Sequence, residues 1–181
     1  MPTCYLDTET TGLNPSTDKV ITIQFQEVDK NSAKPIGPLT ILKEWESNEK
    51  SILKQFLEQT EILEEYPFSF VPIGYNLGFE HNFLRERCIT HGLPPVDILN
   101  KPFVDLRPLG VIMNKGEFKG SGLDKLTGKP RDGSIIPKWY EQKEYAKIVD
   151  YIQIETFEFL RLAQWAYKEL PGMLERFKRE G

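Results

Sequence analysis

The chain has 181 residues, 39% of them hydrophobic and 28% charged, and a formal net charge of -4. That length and composition suit one globular domain, residues 1–181, with a core large enough to need no staples. The acidic balance excludes a protein that coats nucleic acid through bulk positive charge, though not an enzyme that grips a few nucleotides at one end.

The first element is a strand over residues 3–7, ending in a short apolar run, Cys4-Tyr5-Leu6. It delivers Asp7 and Glu9, and on an extended chain residues i and i+2 point to one face. Two acids aimed at one point on a buried strand are costly unless something positive sits between them. A hard divalent cation suits carboxylate oxygens. The plainer alternative is a strand edge with solvated acids and a turn at Gly12.

A polar turn, Asn14 to Lys19, leads to Val20–Val28, where Ile21, Ile23 and Phe25 alternate with Thr22, Gln24 and Gln26. A period of two predicts a half-buried strand with those three apolar residues on one side. Leu39 to Trp45 reads as a third strand, antiparallel to the second because the connection is short. Ile52, Phe56, Leu57, Ile62 and Leu63 predict an amphipathic helix from Asn48 to Glu65. Val71 to Tyr75 reads as a strand, Asn76-Leu77-Gly78 as a turn, and Phe79 to His91 as a helix stopped by Gly92.

Phe103 to Asp105 is the last expected strand, followed by a helix from Leu106 to Met113. Residues 114–138 cluster glycines around a short helical turn at Leu123 to Leu126. Lys115, Lys119, Lys125, Lys129 and Arg131 gather there, either as a substrate-gripping loop or as ordinary solvated charge. A long helix is expected from Trp139 to Leu170, broken by Pro171-Gly172, with a short basic helix after it. This order suits an α/β fold, a mixed sheet covered by helices, with ligands at the carboxyl ends of strands.

Two further acids fall at telling places. Glu80 opens a helix just after a strand and turn, where a carboxylate is also a favourable capping charge. It lies beside Asp7 if the two strands are neighbours. Glu155 falls on the apolar stripe of Ile148, Ile152, Phe159, Leu162 and Ala166, whereas Asp150 points to solvent. An acid on such a stripe needs a reason, either a metal or a Lys or Arg partner at the core edge. Tyr151 precedes it by one helical turn. Four carboxylates, Asp7, Glu9, Glu80 and Glu155, converging on one point would repel without cations. Asp105 reads as a helix cap in preference to a ligand.

The residues that make up these constellations resemble a known family. Leu6-Asp7-Thr8-Glu9-Thr10-Thr11-Gly12-Leu13 resembles the first motif of the DEDD, or DnaQ-like, 3′–5′ exonucleases of the ribonuclease H-like superfamily. Asn76-Leu77-Gly78-Phe79-Glu80 resembles the second, and Tyr151-Ile152-Gln153-Ile154-Glu155 the third, in the form of the tyrosine subgroup and of family B polymerase proofreading domains. The resemblance implies a ribonuclease H-like mixed sheet of about five to six strands, the first three antiparallel, flanked by helices. It implies two divalent cations, Mg or Mn, held by Asp7, Glu9, Glu80 and Glu155, with Tyr151 orienting the attacking water. Thr8, Thr10 and Leu13 would line the terminal-nucleotide pocket, Leu13 as an apolar wedge. Asn76 and Phe79 would shape the substrate groove, with plain packing as the alternative for Phe79.

The sequence departs from the pattern at two positions, where Glu80 and Glu155 stand in place of Asp, each longer by one methylene, about 1.5 Å. Mg²⁺ demands near-ideal octahedral geometry, so either the backbone moves back or metal binding weakens. The implied partners are 3′ ends of DNA or RNA, single-stranded by preference because aromatic and apolar residues near the motifs can stack on unpaired bases. A free-standing exonuclease and a subunit joining a polymerase or repair partner both fit. Rival readings are an exonuclease-like binding module that has lost its metals and a nucleotidase for small substrates. Cys4 and Cys88 lack CxxC spacing and read as buried free thiols in a reducing compartment. His81 and His91 form no zinc pattern with them. With no visible signal peptide and no apolar run near ~20 residues, the expectation is a cytoplasmic protein with no membrane partner.

Overall fold

The central strand of the sheet is β1 (Thr3–Thr10), buried along almost its whole length. The structure, a computed structural model, describes residues 3–129 and 133–180. β1 pairs antiparallel with β2 (Val20–Val28), and β2 antiparallel with β3 (Thr40–Lys43). On its other side β1 runs parallel to β4 (Val71–Gly74), and β4 parallel to β5 (Val104–Asp105). The order is therefore β3-β2-β1-β4-β5, a five-stranded mixed sheet. It is the expected α/β architecture, with three antiparallel strands first.

Helices cover both faces. Leu6 and Ile23 pack against α1 (Glu49–Gln59) and α2 (Leu77–Thr90) through Ile52, Phe56, Phe83 and Leu84. The opposite face packs on α5 (Ile136–Glu141) and α6 (Tyr145–Glu180), where Tyr5 meets Phe159 and Ile21 meets Ile148 and Ile152. Two short helices, α3 (Arg107–Met113) and α4 (Leu123–Thr127), follow β5. Cys4 and Cys88 are buried free thiols, and burial raises them to about 12 and about 11. Among the described residues no helix is long and apolar enough to cross a membrane.

Several expected boundaries move. Ile21 does not share a face with Ile23 and Phe25. The β1–β2 register shifts between Glu9 and Thr10, and this bulge carries Ile21 to the α6 side. Nor is β2 half-buried, since Thr22 and Gln24 are fully enclosed because both sheet faces are covered. The first helix stops at Gln59, where Thr60 turns extended and its hydroxyl donates to the Phe56 carbonyl. The long helix is two elements. Lys143, in a left-handed conformation, ends α5, with the Glu144 N–H bonded back to the Trp139 carbonyl in a Schellman-like turn. Pro171 does not break α6, which runs on to Glu180. Every residue from 168 to 180 is exposed.

Two acids, one buried and one half-buried, hold α2 in place. The Glu49 carboxylate accepts from Val20 N, Arg87 Nε, Arg87 Nη2 and His91, each at 2.8 Å, tying β2, α1 and α2 together. Asp105 accepts from the backbone N–H groups of Asn76 at 2.8 Å, Leu77 at 3.0 Å and Arg107 at 2.9 Å. One carboxylate thus caps both α2 and α3, and Asn76, left-handed at φ 72°, supplies no cap of its own. Asp105→Ala leaves three donors without this acceptor. The expected cost is about 3 kcal/mol, a fall of about 6–12 °C in melting temperature, which a thermal melt against Asp105→Asn measures.

Candidate active site

A cavity of about 570 Å³ opens at the carboxyl ends of β1 and β4. It brings together all ten residues singled out in the sequence: Asp7, Thr8, Glu9, Thr10, Leu13, Asn76, Phe79, Glu80, Tyr151 and Glu155. Strand parity places Asp7 and Glu9 on the α6 side of β1, the side of Tyr5, and the apolar stripe of α6 turns Tyr151 and Glu155 toward them. Asp7, Glu9 and Glu155 each offer a carboxylate oxygen within 4.8 Å of the other two. Glu80 lies outside that trio but against it, at the first turn of α2, and is 3% exposed.

The electrostatics are those of crowded acids. Burial pushes the Glu9 carboxyl well above the usual range, and the charges of Glu155 and Asp7 add to it. Glu80 is raised in the same way, by burial first and then by Asp7. Asp7 is raised by burial against the pull of its partners, the Gln24 amide at 2.8 Å and the Tyr5 hydroxyl at 3.2 Å. Glu155 is pushed up to about 7 by burial and the Asp7 charge.

Among the described residues, the cation that faces these acids is Lys129. Its side chain is 4% exposed, and Nζ sits 2.5 Å from Glu155 Oε1. The same ammonium donates to the Tyr151 hydroxyl and lies 4.2 Å from the centre of that ring. Both readings of Glu155 therefore meet in one place: it belongs to the acidic cluster, and it has a lysine partner. In the sequence Lys129 was one of five loop cations. Lys115, Lys119 and Lys125 are exposed and line no part of the cavity, and Arg131 lies outside the described residues. Only the unpaired acid on the α6 stripe signalled that a counter-charge was needed.

The donor set fits a hard divalent ion. All its atoms are oxygens, and one of them, Glu80 Oε2, is buried without a partner. Asp7, Glu9 and Glu155, with Glu80 beside them, are the residues that would hold it.

The remaining wall residues have distinct local roles. The Thr10 hydroxyl is committed to the Gly12 carbonyl at 2.5 Å, so it shapes the turn. A Cβ at Gly12 would stand 2.4 Å from the Asp18 carboxylate that holds the Asn14 N–H, so any other residue there displaces that carboxylate. Leu13 is 85% exposed at the mouth of the cavity, which rules out a core role. Phe79 is half-buried and stacks near Phe83 at 4.7 Å, so it both packs and lines. Sequence reasoning did not single out Arg107. It lines the cavity with its guanidinium over the Tyr75 ring at 5.8 Å and Nε 3.3 Å from Ser121 Oγ. Gln24 and Tyr5, the hydrogen-bond partners of Asp7, were also not anticipated.

The family model of the RNase H superfamily matches residues 4–167. The chain belongs to the RNase H superfamily. No curated protein sequence matches it. Among solved structures it is similar to Escherichia coli exonuclease I in a zinc-bound complex with single-stranded DNA, at TM-score 0.65 and 13% identity over 97% of this chain and 42% of that one. The complex of the same enzyme with a dT13 oligonucleotide gives TM-score 0.63 and 14% identity, over 97% and 43%. The family B DNA polymerase of the archaeon Pyrobaculum calidifontis gives TM-score 0.63 and 18% identity, over 94% and 25%. At such identities the likeness is one of fold, and this RNase H superfamily chain spans less than half the length of either neighbour.

Proposed function

We propose that this RNase H superfamily protein is a metal-dependent 3′–5′ exonuclease of the DEDD type, acting on single-stranded 3′ ends with two Mg²⁺ or Mn²⁺ ions. The observation that carries this reading is the convergence of Asp7, Glu9 and Glu155 within 4.8 Å in a cavity shared with Glu80 and Tyr151. The exonuclease I complexes with single-stranded DNA support the choice of substrate by fold. When bound, divalent ions lower the pKa of a water and stabilise charge on the departing oxygen.

The chain's own residues do the rest. Burial and the surrounding carboxylates keep the Tyr151 hydroxyl protonated, so it orients a water by hydrogen bonding and does not act as a base. Lys129 fixes the position of that hydroxyl. Leu13 and Phe79 flank the mouth, where a terminal base would lie against apolar surface. Water adds to phosphorus, the bond from phosphorus to the upstream 3′ oxygen breaks, and that oxygen takes a proton as a nucleoside 5′-monophosphate departs. Tyr151→Phe removes only the orienting hydroxyl. Its kcat is expected to fall about a hundredfold with KM little changed, read from initial rates on a labelled oligonucleotide.

A second reading rests on Lys129. Its ammonium already supplies a counter-charge to Glu155, as expected of a binding module that holds a nucleic-acid end without metal. One experiment separates the two: 5′-labelled single-stranded DNA and RNA incubated with Mg²⁺, Mn²⁺ or EDTA. A metal-dependent ladder shortening from the 3′ end supports the exonuclease and reveals the preferred sugar. Folded protein that binds both strands and cleaves neither supports the module.

A further inference from the structure

The active-site cavity does not end at Leu13 and Phe79. A second cavity of about 230 Å³ shares both residues as walls and continues between the turn after β1 and the outer face of α2. Its polar lining is Ser16, Asn82, Arg85 and Glu86. Asn82 and Arg85 are exposed and three residues apart on α2, so they project from one side of the helix. Arg85 makes no ion pair or hydrogen bond among the described residues. Glu86, the acid in this lining, lends its charge to the neighbouring Arg87. Arg87 in turn reaches across to the Pro15 carbonyl at 3.4 Å and pins the turn to the helix. The groove is therefore preformed, with a free guanidinium at its outer end. Arg107, which lines the active-site cavity and not this groove, is already held by Tyr75 and Ser121.

We propose that this groove is a second nucleotide subsite, in which Arg85 and Asn82 hold the phosphodiester of a single strand upstream of its 3′-terminal nucleotide. The inference rests on the exonuclease reading and names the path of the strand away from the carboxylates. Arg85 lies six residues, about 9 Å of helix rise, beyond Phe79. A phosphate reaching it belongs to a nucleotide upstream of the one at Phe79. Arginine suits the task, because its planar fork matches phosphate oxygens. The apolar walls at Leu13 and Phe79 accept bases of any sequence.

The test compares the unphosphorylated thymidine dimer TpT, whose single phosphodiester is the scissile one, with a hexamer, on wild type and Arg85→Gln, by steady-state kinetics in Mn²⁺. The wild type is expected to favour the hexamer in kcat/KM by about tenfold. Arg85→Gln is expected to lose about that factor on the hexamer through KM, with a salt dependence shallower by about one phosphate contact. Shortening the substrate to the dimer should remove the difference between the two proteins. Equal wild-type efficiency on both lengths, or a variant that keeps the full length dependence and salt slope, overturns the subsite. If the wild type cleaves neither substrate, the exonuclease reading fails, and anisotropy of a 5′-fluorescein hexamer in EDTA decides the subsite separately. There, binding weakened about tenfold by Arg85→Gln sustains the groove, and unchanged or absent binding overturns it.

Discussion

Replacing Asp7 with Asn should abolish metal-dependent cleavage and, in the same protein, raise the melting temperature of the metal-free state. Both effects have one cause. Asp7 is one of three carboxylates with oxygens within 4.8 Å of one another, and its charge pushes the carboxyls of Glu9, Glu80 and Glu155 upward. In the absence of a metal, Lys129 is the cation that offsets that repulsion among the described residues. Asparagine keeps the shape and the bonds to Gln24 and Tyr5 while removing one negative charge. Relief of about 1 kcal/mol corresponds to a rise of about 2–4 °C for a protein of this size. Metal binding needs the lost charge, so the rise in melting temperature that Mn²⁺ gives the wild type should shrink in the variant. Hydrolysis should fall by at least about a thousandfold, or ~4 kcal/mol of transition-state stabilisation. Calorimetry with and without Mn²⁺, beside the cleavage assay, reads all three. A metal-free Asp7→Asn protein less stable than wild type would show that Asp7 is structural.

Lys129→Met should do the reverse to stability. The substitution leaves Glu155 Oε1 and the Tyr151 hydroxyl without their shared donor, in surroundings where the lysine side chain is 4% exposed. Breaking a buried pair by removing one partner costs about 3–5 kcal/mol, because the remaining charge stays buried. The expected fall in melting temperature in EDTA is about 6–20 °C. A divalent ion offers the carboxylates another counter-charge, so Mn²⁺ should recover more stability in Lys129→Met than in the wild type. Equal metal increments in the two proteins would mean that Lys129 and the metal do not share the cluster.

The site was legible to the extent that it depends on periodicity. The two-residue period of a strand put Asp7 and Glu9 on one side, and the helical period of α6 put Glu155 on the apolar stripe with Tyr151 one turn before it. The structure places all four in one cavity. Asp105 was read as a cap from its place after a strand, and it caps two helices. Errors arose where a local rule met a tertiary constraint. The alternation in β2 was real, but one bulge reversed the side of Ile21. Pro171 should end a helix, yet α6 runs through it in an exposed stretch. The break instead came at Lys143, whose left-handed backbone no residue-type signal announced.

The sequence by itself determined the mixed α/β sheet, the identity of the acids and the faces they occupy. Those follow from strand and helix repeats and from the cost of burying charge. Only the tertiary structure decided which cation meets the acids. Lys129 reaches Tyr151 and Glu155 from 22 and 26 residues away, out of a loop with no repeating pattern. Contacts of that kind depend on how the loop closes over the sheet end, and closure is fixed by the packing of α4 and α5 against α6. Periodicity places a side chain on a face; the fold of the whole chain chooses what that face meets.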